Sequence, residues 1–548
     1  MKSRRAHKGV FRLEARRSGE ASRARDQARV LALDLHLAGQ YAEAIIAYDR
    51  AINDGLVDAD IYYNRGLARH SLGELESAIA DYDTALALDS SRAEAWENRA
   101  VALQKLRRPL EALASYEQAL KRTPPTAQLL TNQGVSHHNL NDPQAALACY
   151  ARAETLDSSY APLYTNRGNT LRLVGRFDEA IANFDRALQL QPVYAEAWGN
   201  RAATLHEAGR LAEAREAYDR GALLYPSHIE TRWNRSLLNL LTGDFESGWA
   251  EYEVRWQRPS NEPDRHRSIP KWLGDGPIAG LRILVYPEQG LGDFVQFFRY
   301  VDQLIQAGAQ VVLETPLPLL RLMHELTGSR PDASLQMVAM GSELPVVDVR
   351  IPIMSLPLAL RTRVHAVPAP IPYLIPPAER LAWWREQLGP PGLPRVGLAW
   401  SGSPTHRNDI NRSMRVSDLC SVLDEPFEFH CLQQRIRESD LSWLVSRSKP
   451  IRHDADIEDF ADTAALAMLM DVVISVDTSI AHVAGALGRP LFLLLPYAPD
   501  FRWMLGRADS PWYPTARLFR QSVPGNWAEV VGQLPQALTD FRRMSGGE

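Results

Sequence analysis

The sequence predicts a multidomain α plus α/β chain: an α-helical repeat array in the first half and two doubly wound parallel α/β sheets in the second. Three observations carry this. The same residue types recur every 34 positions from Ala44 to Ala214. Beyond residue 280 short β-branched runs alternate with helical segments. Between the two patterns lies "RWQRPSNEPDRHRSIPKWLGDGPIAG", a polar stretch broken by Pro and Gly.

In the first half Ala44, Ala78, Ala112, Ala146, Ala180 and Ala214 define the period. Four positions after each comes a ring, Tyr48, Tyr82, Tyr116, Tyr150, Phe184 and Tyr218, and three further on Ala51, Ala85, Ala119, Ala153, Ala187 and Gly221. A second small column, Gly66, Ala100, Gly134, Gly168, Ala202 and Ser236, marks where two helices approach closely. Such spacings belong to one helix face, so each period reads as a hairpin that cannot bury its apolar side alone. Stacked neighbours then build a superhelix with a concave groove.

One column is polar. Two residues before each small residue stand Asn64, Asn98, Asn132, Asn166, Asn200 and Asn234, five of them followed by Arg. The amides either brace a neighbouring turn or form a ladder along the groove that bonds an extended peptide's backbone. Placement once per repeat rather than once per turn favours the ladder.

In the second half "RILVY" reads as a strand, followed by "PEQGLGD", a helix and the strand "AQVVLE". A second set runs through "RVGLAW", "FEFHCLQ", "DVVISV" and "PLFLLLP". Strands separated by helical segments imply parallel sheets, whose ligands bind beyond the strands' carboxyl ends. The polar loops sit there. In "QGLGD", Gly290 and Gly292 permit close backbone approach, and Asp293 reads either as an N-cap, with Gln296 completing a box, or as a carboxylate able to accept a hydroxyl proton. "WSGSPTHRNDINRSM" is dense in donors, including Ser401, Ser403, Thr405, His406, Arg407 and Arg412, and suits a diphosphate; the alternative is a solvated loop whose arginines pair with Asp409. In "VDTSIAHVAGALGRP", Asp477 ends a strand, Thr478 and Ser479 are expected to cap a helix whose N-terminus suits a phosphate, and His482 lies one turn in.

A net charge of −5 over 548 residues gives no global sign of nucleic-acid binding, although residues 1–27 form a basic tail expected to be disordered. No apolar run approaches the eighteen or so residues of a membrane span. With three scattered cysteines, Cys149, Cys420 and Cys431, and no secretory h-region, the expected compartment is the cytoplasm. The carboxylate pairs Asp81/Asp83 and Asp454/Asp456 fit helix positions better than a cation site, and no catalytic metal or other cofactor is expected.

The 34-residue pattern of small and aromatic columns resembles the tetratricopeptide repeat over residues 28–258, with Gly248 and Arg255 departing from the alanine columns as in a terminal capping repeat. The repeats are similar to those of O-GlcNAc transferases, which implies that the asparagine column holds protein substrates. "GLGD" with "VDTSIAHVAGALGRP" resembles the lipopolysaccharide heptosyltransferases over residues 281–540, and "WSGSPTHRNDINRSM", "DFADTAAL" and "DSPWYPTARLFRQ" resemble bacterial proteins that fuse such repeats to a heptosyltransferase-like domain. The resemblance implies two Rossmann-like domains of GT-B type, 281–377 on the acceptor side and 378–548 on the nucleotide-sugar side, after a linker at 259–280. It also implies an inverting, metal-independent glycosyltransferase with Asp293 as general base. Gly290, Gly292, Ser401, Arg412, Asp477, Thr478, Ser479 and His482 would form the nucleotide-sugar site, with Arg412 replacing a family lysine and Ser479 a family glycine. The expected partners are a nucleotide sugar and a protein or glycan acceptor. The alternative is a non-catalytic peptide-binding scaffold with an inactive transferase-like domain. "DSPWYPTARLFRQ" reads as a rigid loop near the cleft or as core packing.

Overall fold

The structure, a computed structural model, describes residues 27–258, 264–328, 334–368, 370–406 and 408–544. The basic tail up to residue 26, the start of the expected linker and Arg407 lie outside them. The chain divides between Tyr225 and Pro226 into two compact units.

The first unit is a stack of helix hairpins. After a helix over 27–37 and Tyr41–Asn53 come Ala59–Ser71 with Leu75–Leu88, Ala93–Lys105 with Pro109–Leu120, Ala127–Asn139 with Pro143–Leu156, Ala161–Leu173 with Phe177–Leu190, and Ala195–Glu207 with Leu211–Leu224. The small column does what its spacing implies. A Cβ added at Gly66 would lie 2.7 Å from Tyr82, at Gly134 2.5 Å from Tyr150, and at Gly168 2.7 Å from Phe184, and all three rings are fully buried. The turns between paired helices form a further column: Gly39, Gly73, Arg107, Asn141, Gly175 and Gly209 all hold positive φ, 57° at Arg107 and 58° at Asn141. That left-handed turn caps the preceding helix and is natural for glycine, less so for arginine.

The arginine after each asparagine is a cross-brace. Arg65 meets Asp81 at 3.0 Å and Asp49 at 2.6 Å, Arg99 meets Asp83, and Arg201 meets Asp185, each sixteen residues away. Asp81 and Asp83 are thereby explained as brace partners. Where Gln133 replaces the arginine, its partner sixteen residues on is Cys149, at 3.6 Å.

The second unit opens on a hairpin, Ile229–Leu241 and Phe245–Tyr252, and a 3-10 turn, Glu253–Gln257. Its first sheet has the order β3-β2-β1-β4 and contains β1 (Arg282–Tyr286), β2 (Gln310–Thr315), β3 (Leu335–Ala339) and β4 (Val349–Pro352). The second has the order β6-β5-β7-β8-β9 and contains β5 (Arg395–Ala399), β6 (Glu428–Cys431), β7 (Val472–Val476), β8 (Leu491–Leu495) and β9 (Ala516–Arg520). Every strand pair in both sheets is parallel. Parallel strands need cover on both faces, and the first sheet obtains it unequally. Ile283 and Val285 face the main core with Phe294 and Phe298. Leu284 and Tyr286 face the other way, under Trp256 and Ile269.

Residues 264–280, expected as part of a linker, are therefore a structural layer. Asp264 binds Tyr286 and Arg350, and Arg265 and His266 meet the buried Glu314. The capping hairpin is likewise part of this unit: Leu240, Phe245, Trp249 and Tyr252 share one core with Phe297, Phe501 and Trp512. The "DSPWYPTARLFRQ" segment is core rather than loop, since Trp512 and Tyr513 are fully buried and "ARLFR" is strand β9.

Candidate active site

Both sheets reverse their strand order next to their first strand, beside β1 and beside β5 and β7, and the loops beyond these strands carry most of the expected site. The helix Leu291–Phe298 follows β1, and the helix Ser479–Ala486 follows β7. Their N-terminal turns touch, because a Cβ at Gly292 would stand 2.8 Å from His482 Cδ2 and 3.3 Å from Ser479 Cα. Glycine here is a requirement of contact between two helices.

Asp293 is the third residue of its helix rather than the N-cap, and its Oδ2 accepts the Gly290 N–H at 2.7 Å, so it caps backwards. Its Oδ1 is ion-paired with Arg502. Arg502 is buried, and its guanidinium is fully engaged: Nη1 donates to Asp500 at 2.7 Å and Nε to Gln296 Oε1 at 2.7 Å. Gln296 thus serves the arginine and not the expected capping box. Burial pushes the Asp293 carboxyl up, with the Arg502 cation opposing.

Asp477 is pushed up to about 6, first by burial and then by the neighbouring Asp500 carboxylate. His482 is held well below its usual range by burial and by the Arg502, Arg299 and Arg412 cations, so it is neutral at pH 7. Its Nδ1 bonds Tyr513 Oη at 2.9 Å, its ring stacks on Trp503 at 5.4 Å, and its Nε2 lies 4.0 Å from Asp477 Oδ1. Thr478 occupies the N-cap position but its side chain does not cap; its hydroxyl turns to Ser475 Oγ at 3.2 Å. The expected cap is thus absent at Thr478, and Ser479 is the first helical residue.

The donor-rich loop after β5 divides. Arg412 reaches the cluster, donating from Nη1 to the Asp477 carbonyl at 2.9 Å, with its Nη2 pressed on Gly402, where a Cβ would come within 2.6 Å. Ser401 does not reach it: its N–H and hydroxyl are taken by Gln433 at 3.1 Å each. Asp409 pairs chiefly with Arg437, at 2.5 Å, and stands 3.8 Å from Arg412 Nε. His406 is close enough that the Asp293 and Asp500 carboxylates act on it, although burial and Arg412 hold it low.

In the repeats all six asparagines of the polar column are half-buried. Asn98 and Asn166 donate to the carbonyls of Glu94 and Pro162 four residues back, at 2.9 Å, and Asn98 also reaches Tyr63 Oη. Sequence reasoning passed over Arg502, Asp500 and Trp503; "PDFRWMLGR", an arginine set among aromatics after a strand, was the available signal. Among the described residues no group of three or more His, Cys, Asp or Glu side chains is arranged to hold a metal ion, and no helix is long and apolar enough to cross a membrane.

Residues 97–161 and 165–229 match the family described as tetratricopeptide repeat, and 66–106 match one described as TPR repeat. The N-terminal region is an array of these repeats. Among curated proteins the chain is 26% identical over 333 residues to Protein FlbA of Caulobacter vibrioides, an alignment covering 56% of this chain and 54% of FlbA. The chain thus spans about half the length of that relative. Among solved structures it is similar to YrrB, described as a TPR protein with an unusual peptide-binding site, at 29% identity and a TM-score of 0.28, covering 35% of this chain and 98% of YrrB. A tetratricopeptide repeat protein from Parabacteroides merdae is 16% identical with a TM-score of 0.41, covering 44% of this chain and 95% of its own.

Proposed function

We propose that this protein is a glycosyltransferase whose repeats recruit a protein or glycan acceptor and whose paired Rossmann-like, GT-B-type sheets move a sugar from a nucleotide donor with inversion. One observation carries the reading: Asp293 and Asp477, Thr478 and His482, from the loops and first helical turns beyond the switch strands of two separate parallel sheets, converge where two helix N-termini meet at Gly292. An uncapped helix start beside Arg412 suits a diphosphate, and a half-buried carboxylate one helix away suits removal of the acceptor hydroxyl proton. In such a mechanism Asp293 takes that proton as the acceptor oxygen attacks the sugar carbon from the face opposite the leaving phosphate. Arg412 and the helix amides receive the charge that develops on the leaving group.

The repeats act upstream of this chemistry. A half-buried amide once per repeat offers donors and acceptors at regular intervals to an extended chain, and YrrB's description as peptide-binding agrees. A second reading, a peptide-binding scaffold with an inactive α/β unit, is favoured by one feature: both Asp293 oxygens are already engaged, by Gly290 and Arg502. Mass spectrometry of reactions containing a panel of nucleotide sugars and a host lysate decides between them. Transfer supports the enzyme. Calorimetry with nucleoside diphosphates, with and without chelator, tests the metal-free mechanism, which fails where binding vanishes with chelator and returns with magnesium.

A further inference from the structure

The capping hairpin is held to the α/β core by more than apolar packing. Tyr252, at its end, is 1% exposed, and its Oη accepts from Gln289 Nε2 at 3.0 Å. Three residues on, the fully buried Arg255 donates to Glu288 from Nε at 2.7 Å and from Nη2 at 2.8 Å. Glu288 and Gln289 are consecutive residues of the loop after β1, and Gln289 is held at φ 60°, a left-handed conformation that a non-glycine residue keeps only when its surroundings impose it. The next residue, Gly290, supplies the N–H that holds Asp293 Oδ2.

The other oxygen of Asp293 leads back to the same hairpin. Arg502, which holds Oδ1, follows Phe501, whose ring packs edge-on to Trp249 at 5.7 Å and to Tyr252 at 6.0 Å. Trp249 also meets Phe297, on the Asp293 helix, at 5.7 Å. Both groups that fix the carboxylate therefore stand on segments seated against Trp249, Tyr252 and Arg255.

We infer that the terminal hairpin and its 3-10 turn are the positioning element for Asp293, with Tyr252 and Arg255 as positioning residues that act through Gln289 and Glu288. The consequence rests on reading Asp293 as the base, whereas the positioning itself does not. The hairpin carries the polar column's last member, Asn234, so the same element belongs to the repeat pattern and to the site.

Hydrogen exchange read by mass spectrometry on the full chain tests the inference without needing activity. In Tyr252→Phe, which keeps the ring and removes only the oxygen, the segment 287–293 is expected to exchange about tenfold faster, the equivalent of one hydrogen bond, while the β5–β9 sheet exchanges as before. Gln289→Ala, which removes the partner from the loop side, is expected to give the same local change and serves where Tyr252→Phe does not fold. With an active transferase, both variants lower kcat more than they raise KM for the nucleotide sugar. Unchanged exchange at 287–293 in a folded variant overturns the proposal, as does an increase spread evenly over the unit. Local acceleration in a chain that transfers no sugar upholds the positioning and removes the transferase reading instead.

Discussion

Arg65, Arg99 and Arg201 stand in one column of the repeats, and each meets a carboxylate sixteen residues away. Arg502 in the α/β unit meets carboxylates two and 209 residues away, in an arrangement that occurs once. In the first region a contact is a property of a period, so losing one leaves its copies in place. In the second it is a property of a place, and nothing substitutes for it. The contrast separates what each region contributes: the array offers the same groups at intervals, and the α/β unit concentrates different groups at a point.

The largest test of this contrast is Asp293→Asn. Transfer is expected to fall by roughly two to four orders of magnitude, the usual contribution of a positioned base. Because Arg502 loses a charge partner and keeps Asp500 and Gln296, melting is expected to fall by a few degrees, with nucleotide affinity close to that of the parent. Melting alone therefore does not separate cap from base; the rate does. Native transfer by this variant would remove Asp293 from the mechanism.

Acid tests both regions at once. Burial lowers His206 in the array to about 4, and burial with His453 and Arg395 lowers His430 in the α/β unit to about 3. Both stay neutral in the fold while the unfolded chain takes up a proton below pH 6.5, so each contributes stability that is complete above that pH and is lost as it falls. The loss approaches about 1.4 kcal/mol per pH unit per histidine, and its window extends to about 4 for His206 and about 3 for His430. Urea unfolding at stepped pH is expected to flatten over these windows in His206→Gln and His430→Gln respectively. His430 lies 3.0 Å from His453 and 3.2 Å from Glu428, so its variant is read against those neighbours.

A smaller effect is expected from changing Asn132, Asn166 and Asn200 together to alanine, which removes three copies of one contact. A macromolecular acceptor should bind roughly tenfold to a hundredfold more weakly by titration, about one kcal/mol or less per amide, with donor binding intact. Unchanged acceptor affinity would leave the column a purely structural role. The smallest is Arg107→Gly. Its left-handed turn is occupied by glycine in four sister repeats, so the substitution is expected to stabilise the array by about 1 kcal/mol in denaturant titration. Gln289→Gly relaxes the same kind of backbone but removes the Tyr252 clamp, and no such gain is expected there.

How far the fold could be read from the residues follows the same division. The glycine and ring columns named their own contacts, because a 34-residue period repeats the message until it is unmistakable. β1, β5, β7 and β8 were legible as apolar runs bounded by polar loops. β3, β4 and β9 were not: "LQMVA", "VRIP" and "ARLFR" are short and carry polar or proline residues. The glycines, Asp477 and His482 were legible as loop chemistry after strands. Arg502 was not, because its meaning depends on a partner 209 residues away, and a single chain shows spacing without showing proximity. The capping hairpin misled for a different reason: its asparagine and small residue keep the repeat's columns while its core partners lie in the α/β unit.

That hairpin places a seam in the chain at Tyr225 and Pro226, ahead of the last recognisable column. Gain or loss of whole 34-residue periods upstream of it changes the number of copies and leaves every partner within the α/β unit in place. A join made after the final repeat column, where the pattern itself would suggest a cut, severs Tyr252 from Gln289 and Arg255 from Glu288. Whole periods upstream of the seam can therefore be added or removed without touching these contacts, whereas the hairpin at 229–252 has to travel with the sheets.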